Sequence, residues 1–155
     1  MDTDDAANRF TWDHLNTLQL GKFAEYYTKM EMLRCGWDIY TAEVDNKGID
    51  FVVRVKPSRY LDIQVKSLRW PSSKYAFIPK TKIELSRRHY VVLVLFEENA
   101  APYLYAIPSL VWRKPDRVFV ERDYKGLSSK PEFGISISNR DRAALENYRL
   151  RGVLK

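Results

Sequence analysis

Residues 48–66 read GIDFVVRVKPSRYLDIQVK and predict a β-hairpin. An apolar run over residues 49–55 and an alternating run over residues 60–66 are separated by Lys-Pro-Ser-Arg, and proline and serine are common in turns. Side chains alternate between the two faces of a strand, so the second run divides its polar and apolar residues cleanly. The polar side chains expected on one face are Asp62, Gln64 and Lys66.

The hairpin also predicts which residues face each other across the two strands. With the turn centred on the Pro-Ser pair, Asp50 lies opposite residues 64–66. Directly opposed side chains have Cβ atoms about 4.5–5.5 Å apart. A carboxylate, an amide oxygen and an ammonium group are therefore expected to converge at one point.

This convergence predicts a metal and phosphate site. Hydrolysis of a phosphodiester needs a hard divalent ion held by oxygen ligands and positive charge where negative charge develops. Asp50, the amide of Gln64 and the backbone carbonyl of Val65 are the candidate ligands, and Asp62 is a reserve ligand. Lys66 would hold the attacking water or stabilise the developing charge. The alternative from geometry alone is a buried Asp50–Lys66 ion pair.

A helix is predicted ahead of the hairpin, over residues 17–35, with Thr17 as its cap and Gly36 as its stop. Its main apolar stripe recurs at spacings of three and four, and its members are Leu20, Phe23, Tyr27, Met30 and Leu33. Glu25 lies on the flank of this stripe and could complete the metal site through a water. The alternative is a solvent-exposed helix glutamate.

The remaining pattern predicts one mixed sheet in an α/β or α+β domain, since strands joined by tight turns cannot all be parallel. Further strands are expected at 37–44, 90–96, 103–107 and, as an edge strand, 133–138. Helices are expected at 81–89 and 139–150, the second with a Ser138–Asp141 capping pair and a stop at Gly152, and a short helix or turn is expected at 108–112. A turn is expected at 45–48, a loop at 69–80 and an extended segment at 117–120.

Composition predicts one globular domain over the 155 residues, with a flexible acidic tail at 1–9. No run approaches the roughly 20 apolar residues that cross a bilayer, so no membrane association is expected. Cys35 is the sole cysteine, which excludes a disulfide framework. His14, His89 and Cys35 are too scattered for a zinc site or a nucleophilic triad, and packing or surface positions are expected for them. A cytoplasmic location follows by default.

Positive charge is concentrated around the hairpin. Ten Lys or Arg against one Asp and one Glu between residues 54 and 88 give a local excess of +8, within a chain of net charge +6. Such a surface favours a polyanionic partner, and a solvated basic face is the alternative. The loop at 69–80 could also stack bases on Trp70 or Tyr75. The candidate nucleic-acid-binding residues are Arg69, Lys74, Lys80, Lys82, Arg87 and Arg88.

Four ordered motifs carry a resemblance to a known family. They are Leu20-Gly21-x3-Glu25, Cys35-Gly36-Trp37, Gly48-Ile49-Asp50 and Gln64-Val65-Lys66-Ser67. Together they resemble the PD-(D/E)XK nuclease superfamily, which has the restriction-endonuclease-like fold. The chain is most similar in pattern to archaeal Holliday-junction resolvases and to type IV restriction nucleases with a QxK variant.

The resemblance implies a mixed β-sheet core flanked by helices and a DNA endonuclease that uses Mg²⁺ or Mn²⁺. It implies that Asp50 binds the metal, that Gln64 occupies the usual Asp/Glu position, that Lys66 is the catalytic lysine and that Glu25 is the helical glutamate. Double-stranded or branched DNA as substrate, and a homodimer that cuts two strands with two sites, are further expectations. Because Gln64 removes a charge from the ligand set, a catalytically inactive nucleic-acid-binding module on the same fold is the alternative. A protein-binding or structural domain is the third possibility.

Overall fold

In the computed structural model, which describes residues 9–44 and 47–153, one long helix and two β-sheets form the core. The helices are α1 (Thr17–Arg34) and α2 (Leu150–Val153). The strands are β1 (Asp38–Tyr40), β2 (Phe51–Lys56), β3 (Arg59–Arg69), β4 (Tyr75–Pro79), β5 (His89–Phe96), β6 (Tyr103–Pro108), β7 (Phe119–Arg122) and β8 (Glu132–Ser136). Short 3₁₀ helices span Lys80–Lys82, Ser109–Arg113 and Asp141–Tyr148. The predicted tail at 1–9, apart from Arg9, and positions 45–46 of the predicted turn lie outside the described residues.

The larger sheet has five strands in the order β1-β2-β3-β5-β6. β3 and β5 run parallel, and every other neighbouring pair is antiparallel, so the predicted mixed sheet is confirmed. The second sheet has three antiparallel strands in the order β4-β8-β7 and was not predicted. β8 is its central strand, so the prediction of an edge strand at 133–138 is wrong.

Each face of the larger sheet borders its own apolar core. On one face, Leu61 and Ile63 of β3 pack with Val92 of β5 beneath α1. On the other face, Val91 and Leu93 of β5 pack against residues of the second sheet. This second face is the one that carries the even-numbered residues of β3, as the alternating pattern predicts.

α1 confirms the predicted helix but differs from it in cap and in orientation. Asn16, not Thr17, is the N-cap: its side chain accepts a hydrogen bond from the Gln19 N–H at 2.9 Å. The residues that α1 buries are Leu20, Ala24, Thr28 and Met32. Of the predicted stripe, Leu20 is buried and Tyr27 is partly buried against the core, whereas the prediction is wrong for Phe23, Met30 and Leu33, which are exposed. The small Ala24 and Thr28 allow the helix to approach the sheet closely, and the Thr28 hydroxyl donates to the Ala24 carbonyl at 2.8 Å.

The other predictions of helices and strands are confirmed in part. The strands at 90–96 and 103–107 are confirmed as β5 and β6, and the helical segment at 108–112 is confirmed as a 3₁₀ helix. The strand at 37–44 shortens to β1, the loop at 69–80 contains β4, and the segment at 117–120 is displaced to β7. Only a 3₁₀ turn lies near the helix expected at 81–89. The closing helix is mainly 3₁₀, and Gly152 lies inside α2 rather than after it.

Candidate active site

The hairpin of β2 and β3 holds Asp50 in place from both its backbone and its side chain. The Asp50 N–H, directly before β2, donates to the Ile63 carbonyl of β3 at 2.9 Å. The Asp50 carboxylate oxygen Oδ2 accepts a hydrogen bond from the Val65 N–H at 2.7 Å. The carboxylate is therefore anchored across the hairpin, next to the strand that carries Gln64 and Lys66.

A cleft with a volume of about 350 Å³ opens at this position. Its lining residues are Gly48, Asp50, Gln64, Val65, Lys66, Pro79 and Lys82. Asp50, Gln64, Val65 and Lys66, which the sequence predicts as one site, are therefore brought together by the structure. Their chemical roles stay predictions.

Gly48 brings the loop before β2 into close contact with the 3₁₀ helix at Lys80–Lys82. Its φ of +81° is a conformation that side chains rarely adopt. A Cβ at this position would lie 2.6 Å from the Lys82 carbonyl oxygen and 3.2 Å from Gln64 Nε2. Only glycine lets the backbone pass this close to the cleft wall.

Lys66 is a half-buried cation in the cleft. Burial lowers the pKa of its ammonium group, because the charged form loses hydration, and the negative charge of Asp50 opposes this shift. Asp50 thus favours the protonated form of Lys66, which is the form that stabilises negative charge.

Gln64 is 5% exposed, and its amide is shared with a residue that the sequence analysis set aside. Its Oε1 lies 3.3 Å from Nε2 of His89, which is itself 2% exposed. Burial lowers the pKa of His89, so the ring is neutral near pH 7, and a neutral ring with its proton on Nε2 donates to the amide oxygen. In the sequence, His89 is marked only as a polar residue directly before the apolar run 90–96. Its contact with Gln64 could be predicted only with the knowledge that β3 and β5 pair in parallel, with Asp62 beside His89.

Glu25 does not line the cleft. Its carboxylate pairs with Lys22 at 3.0 Å and with Lys29 at 3.6 Å on the same helix. The hydrogen bond that Lys22 donates to Glu25 raises the pKa of Lys22, with a smaller contribution from Asp50. Lys22 therefore lies within electrostatic reach of both carboxylates, and a role for Glu25 at the metal stays a prediction.

No protein-family model and no curated protein matches this sequence. Among solved structures, Hjc, a Holliday junction resolvase from the archaeal hyperthermophile Archaeoglobus fulgidus, is similar with a TM-score of 0.52 and 14% identity over 86% of this chain and 94% of that chain. The bacterial homing endonuclease I-Ssp6803I gives a TM-score of 0.47 at 17% identity, over 80% of this chain and 78% of that chain. The chain has the restriction-endonuclease-like fold. The resemblance to PD-(D/E)XK nucleases is thereby confirmed at the level of the fold.

On this restriction-endonuclease-like fold, the six predicted nucleic-acid-binding residues have different environments. Lys82 lines the cleft, and Lys74, Arg87 and Arg88 are exposed. Lys80 pairs with Glu121 and Asp123 of the β7 region. Arg69 donates to the backbone carbonyls of Trp12 and Leu15, so its guanidinium fastens the segment before α1 to β3. The side chains of Lys80 and Arg69 are therefore engaged by other parts of the protein.

The donor set in the cleft suits a hard divalent cation. Carboxylate, amide and carbonyl oxygens are preferred by Mg²⁺, which is often bound through one or two carboxylates and keeps several waters. Asp50 supplies the carboxylate, and Gln64 and Val65 can supply neutral oxygens. Across residues 9–44 and 47–153, no group of three or more His, Cys, Asp or Glu side chains is placed to hold a metal. None of the helices in these ranges is long and apolar enough to cross a membrane.

Proposed function

We propose that this protein is a Mg²⁺-dependent DNA endonuclease that hydrolyses phosphodiester bonds. The observation that carries the proposal is the single cleft that contains the Asp50 carboxylate, the Gln64 amide and the Lys66 ammonium. The shared fold with Hjc, which is a Holliday junction resolvase, supports a nuclease in general.

In this proposal each cleft residue has a separate task. Asp50 holds Mg²⁺, with the Gln64 amide oxygen and the Val65 carbonyl as additional ligands. Mg²⁺, when bound, would polarise the phosphate and lower the pKa of a bound water. Lys66 stabilises the negative charge that develops on the phosphate, and its half-buried position strengthens that interaction. Burial lowers the pKa of Lys66, and the negative charge of Asp50 opposes this shift and so favours the protonated form.

The proposed partner is DNA, double-stranded or branched, held by the exposed cations beside the cleft. Lys82 is part of the cleft wall, and Arg87 and Arg88 follow it in the loop before β5. Lysine and arginine side chains that neutralise phosphates release counterions and so favour binding. A homodimer, a single domain and a cytoplasmic location stay predictions from the sequence.

The proposal is tested by incubating the protein with linear duplex, single-stranded and branched DNA in Mg²⁺ or Mn²⁺. We expect cleavage of at least one substrate, its loss on chelation with EDTA, and its loss in Asp50→Ala and in Lys66→Ala. Asp62→Ala is the matched control, since Asp62 lies on the same face of β3 but outside the cleft lining. Cleavage that survives both cleft substitutions would refute the assignment.

A catalytically inactive nucleic-acid-binding module is the second candidate. The observation in its favour is the contact between Gln64 Oε1 and His89, which engages the oxygen that would otherwise be offered to a metal. It predicts salt-sensitive DNA binding without cleavage, and unchanged binding in Lys66→Ala. Titration calorimetry with Mn²⁺ separates the two candidates, because only the nuclease requires Mn²⁺ binding that depends on Asp50.

A further inference from the structure

An exposed aromatic cluster lies on the same face of the larger sheet as the cleft. Tyr40 of β1 is 48% exposed and Tyr60 of β3 is 42% exposed, with ring centroids 6.1 Å apart. Arg54 of β2 lies opposite Tyr60 in the strand register, with its Cζ 5.6 Å from the Tyr60 ring centroid. We call Tyr40, Arg54 and Tyr60 the tyrosine platform.

The platform is held in place by strands and by its own contacts. The Arg54 guanidinium lies over the Tyr60 ring, and the Tyr60 ring in turn packs against Tyr40. Val52 of β2 pairs with Tyr40 of β1 and with Asp62 of β3, so it lies between the strands that carry the two tyrosines. Exposed rings on rigid strands lose little conformational entropy when a flat ligand stacks on them.

The platform and the cleft are continuous along β3. Every second residue of β3 lies on this face, and these residues are Tyr60, Asp62, Gln64 and Lys66. Along the strand, Gln64 is four residues from Tyr60, which is a distance of about 13 Å. Stacked nucleotides rise about 3.4 Å each, so a strand of roughly four nucleotides covers this path.

Cations lie beside the path. Arg54 contacts the Tyr60 ring, and Arg87 and Arg88 are exposed in the loop before β5, where the Arg88 carbonyl accepts a hydrogen bond from the Asp62 N–H. The acidic residues nearby are Asp38, Asp62 and Glu84. Aromatic rings beside cations on one surface are the arrangement that binds single-stranded nucleic acid, with bases on the rings and phosphates on the cations.

We propose that the tyrosine platform binds unpaired nucleotides of a DNA substrate. Their bases stack on Tyr40 and Tyr60, and the backbone continues along β3 towards the cleft. The substrate class is then DNA with a single-stranded segment, such as an overhang, a flap or an opened branch. This proposal rests on the proposed function and adds the substrate to it.

The test measures binding without cleavage, by fluorescence anisotropy in EDTA at one fixed salt concentration. The probes are a labelled oligothymidylate, a labelled oligouridylate, a blunt duplex, and the same duplex with a single-stranded extension. The variants are Tyr40→Ala, Tyr60→Ala and Tyr60→Phe. Tyr26→Ala is the matched control, since Tyr26 is 58% exposed and has Lys22 and Lys29 near its ring, but belongs to α1 on the opposite face.

We expect each platform alanine variant to bind the oligothymidylate and the extended duplex at least about fivefold more weakly, the loss of one stacked base. Tyr60→Phe keeps the ring and should keep the affinity, and Tyr26→Ala should match the wild type. Unchanged binding of the oligothymidylate, or an equal loss on the blunt duplex, would overturn the platform. Tighter binding of oligouridylate than of oligothymidylate would overturn DNA as the ligand.

The two proposals fail separately in this design. If no DNA is cleaved but the alanine variants lose single-strand binding, the endonuclease falls and the platform stands. If Asp50-dependent cleavage is found and the alanine variants bind like the wild type, the platform falls and the endonuclease stands. Thermal unfolding followed by circular dichroism confirms that each exposed substitution leaves the fold intact.

Discussion

Replacing Asp50 with asparagine separates the charge of this side chain from its structural hydrogen bond. In the native protein Asp50 Oδ2 accepts the Val65 N–H at 2.7 Å. Asparagine keeps an acceptor oxygen of the same shape, so Asp50→Asn should cost no more than about 1 kcal/mol of unfolding free energy, the difference between a charged and a neutral acceptor. Asp50→Ala leaves the part-buried Val65 N–H without this partner and should cost about 1–3 kcal/mol.

The functional effect should run the other way, with Asp50→Asn as damaging as Asp50→Ala. Asp50 is the sole carboxylate that lines the cleft among the described residues. Loss of an outer-shell partner typically costs 10–100-fold in metal affinity, so loss of this ligand charge should weaken Mn²⁺ binding by more than about 100-fold. Cleavage should fall to background in both variants.

Three measurements on the same preparations check this reasoning. Titration calorimetry gives the Mn²⁺ affinity, plasmid nicking gives the cleavage rate, and urea unfolding gives the stability. Asp62→Asn is the control, since it removes the same charge from the same face of the hairpin but outside the cleft lining. Asp50→Asn that still binds Mn²⁺ and still nicks DNA would refute Asp50 as the ligand, and an equal effect of Asp62→Asn would refute the specificity of the cleft.

Further predictions address the surroundings of the cleft. Gly48→Ala should destabilise the protein by about 1–2 kcal/mol from its positive φ alone, and more from the 2.6 Å approach to the Lys82 carbonyl, and a neutral effect in urea unfolding would contradict this contact. Burial lowers the pKa of His89 from 6.5, so below pH 6.5 His89 binds a proton more readily in the unfolded chain than in the folded protein. The free energy of unfolding should therefore decrease as the pH is lowered below 6.5, by at most about 1.4 kcal/mol per pH unit. Urea unfolding at several pH values should show a shallower acid slope in His89→Gln, and identical slopes would count against a buried neutral ring. Arg69→Met should cost about 2 kcal/mol or more by releasing the carbonyls of residues 12–15, and should leave DNA affinity unchanged at fixed salt, whereas weaker DNA binding at unchanged stability would restore the DNA role.

The hairpin was predictable because its information is local. Alternation along β3, a turn at Pro57 and an apolar β2 determine which side chains share a face, and these depend only on neighbouring residues. The proximity of Asp50 to Gln64 and Lys66 follows from that register. β5 and β6 were predicted for a similar reason, since a run as apolar as 90–96 is buried in most folds.

The helix orientation was not predictable from the same kind of pattern. Apolar periodicity favoured a stripe with Phe23, Met30 and Leu33, whereas α1 buries Ala24 and Thr28 against the sheet. Small side chains allow a helix to pack closely against β3. The spacing of hydrophobic residues in the sequence contains no information on how closely a helix and a sheet pack.

The sequence by itself determined the hairpin, the convergence of Asp50, Gln64 and Lys66, and the basic character of the region around them. Only the tertiary structure placed His89 on Gln64, tied Arg69 to residues 12–15, and set β4 and β8 into a second sheet. These contacts join residues 25 to 61 positions apart, and their formation depends on the packing of whole elements. The candidate metal ligands could therefore be predicted from the sequence, whereas the contact of Gln64 with His89 became known only from the tertiary structure.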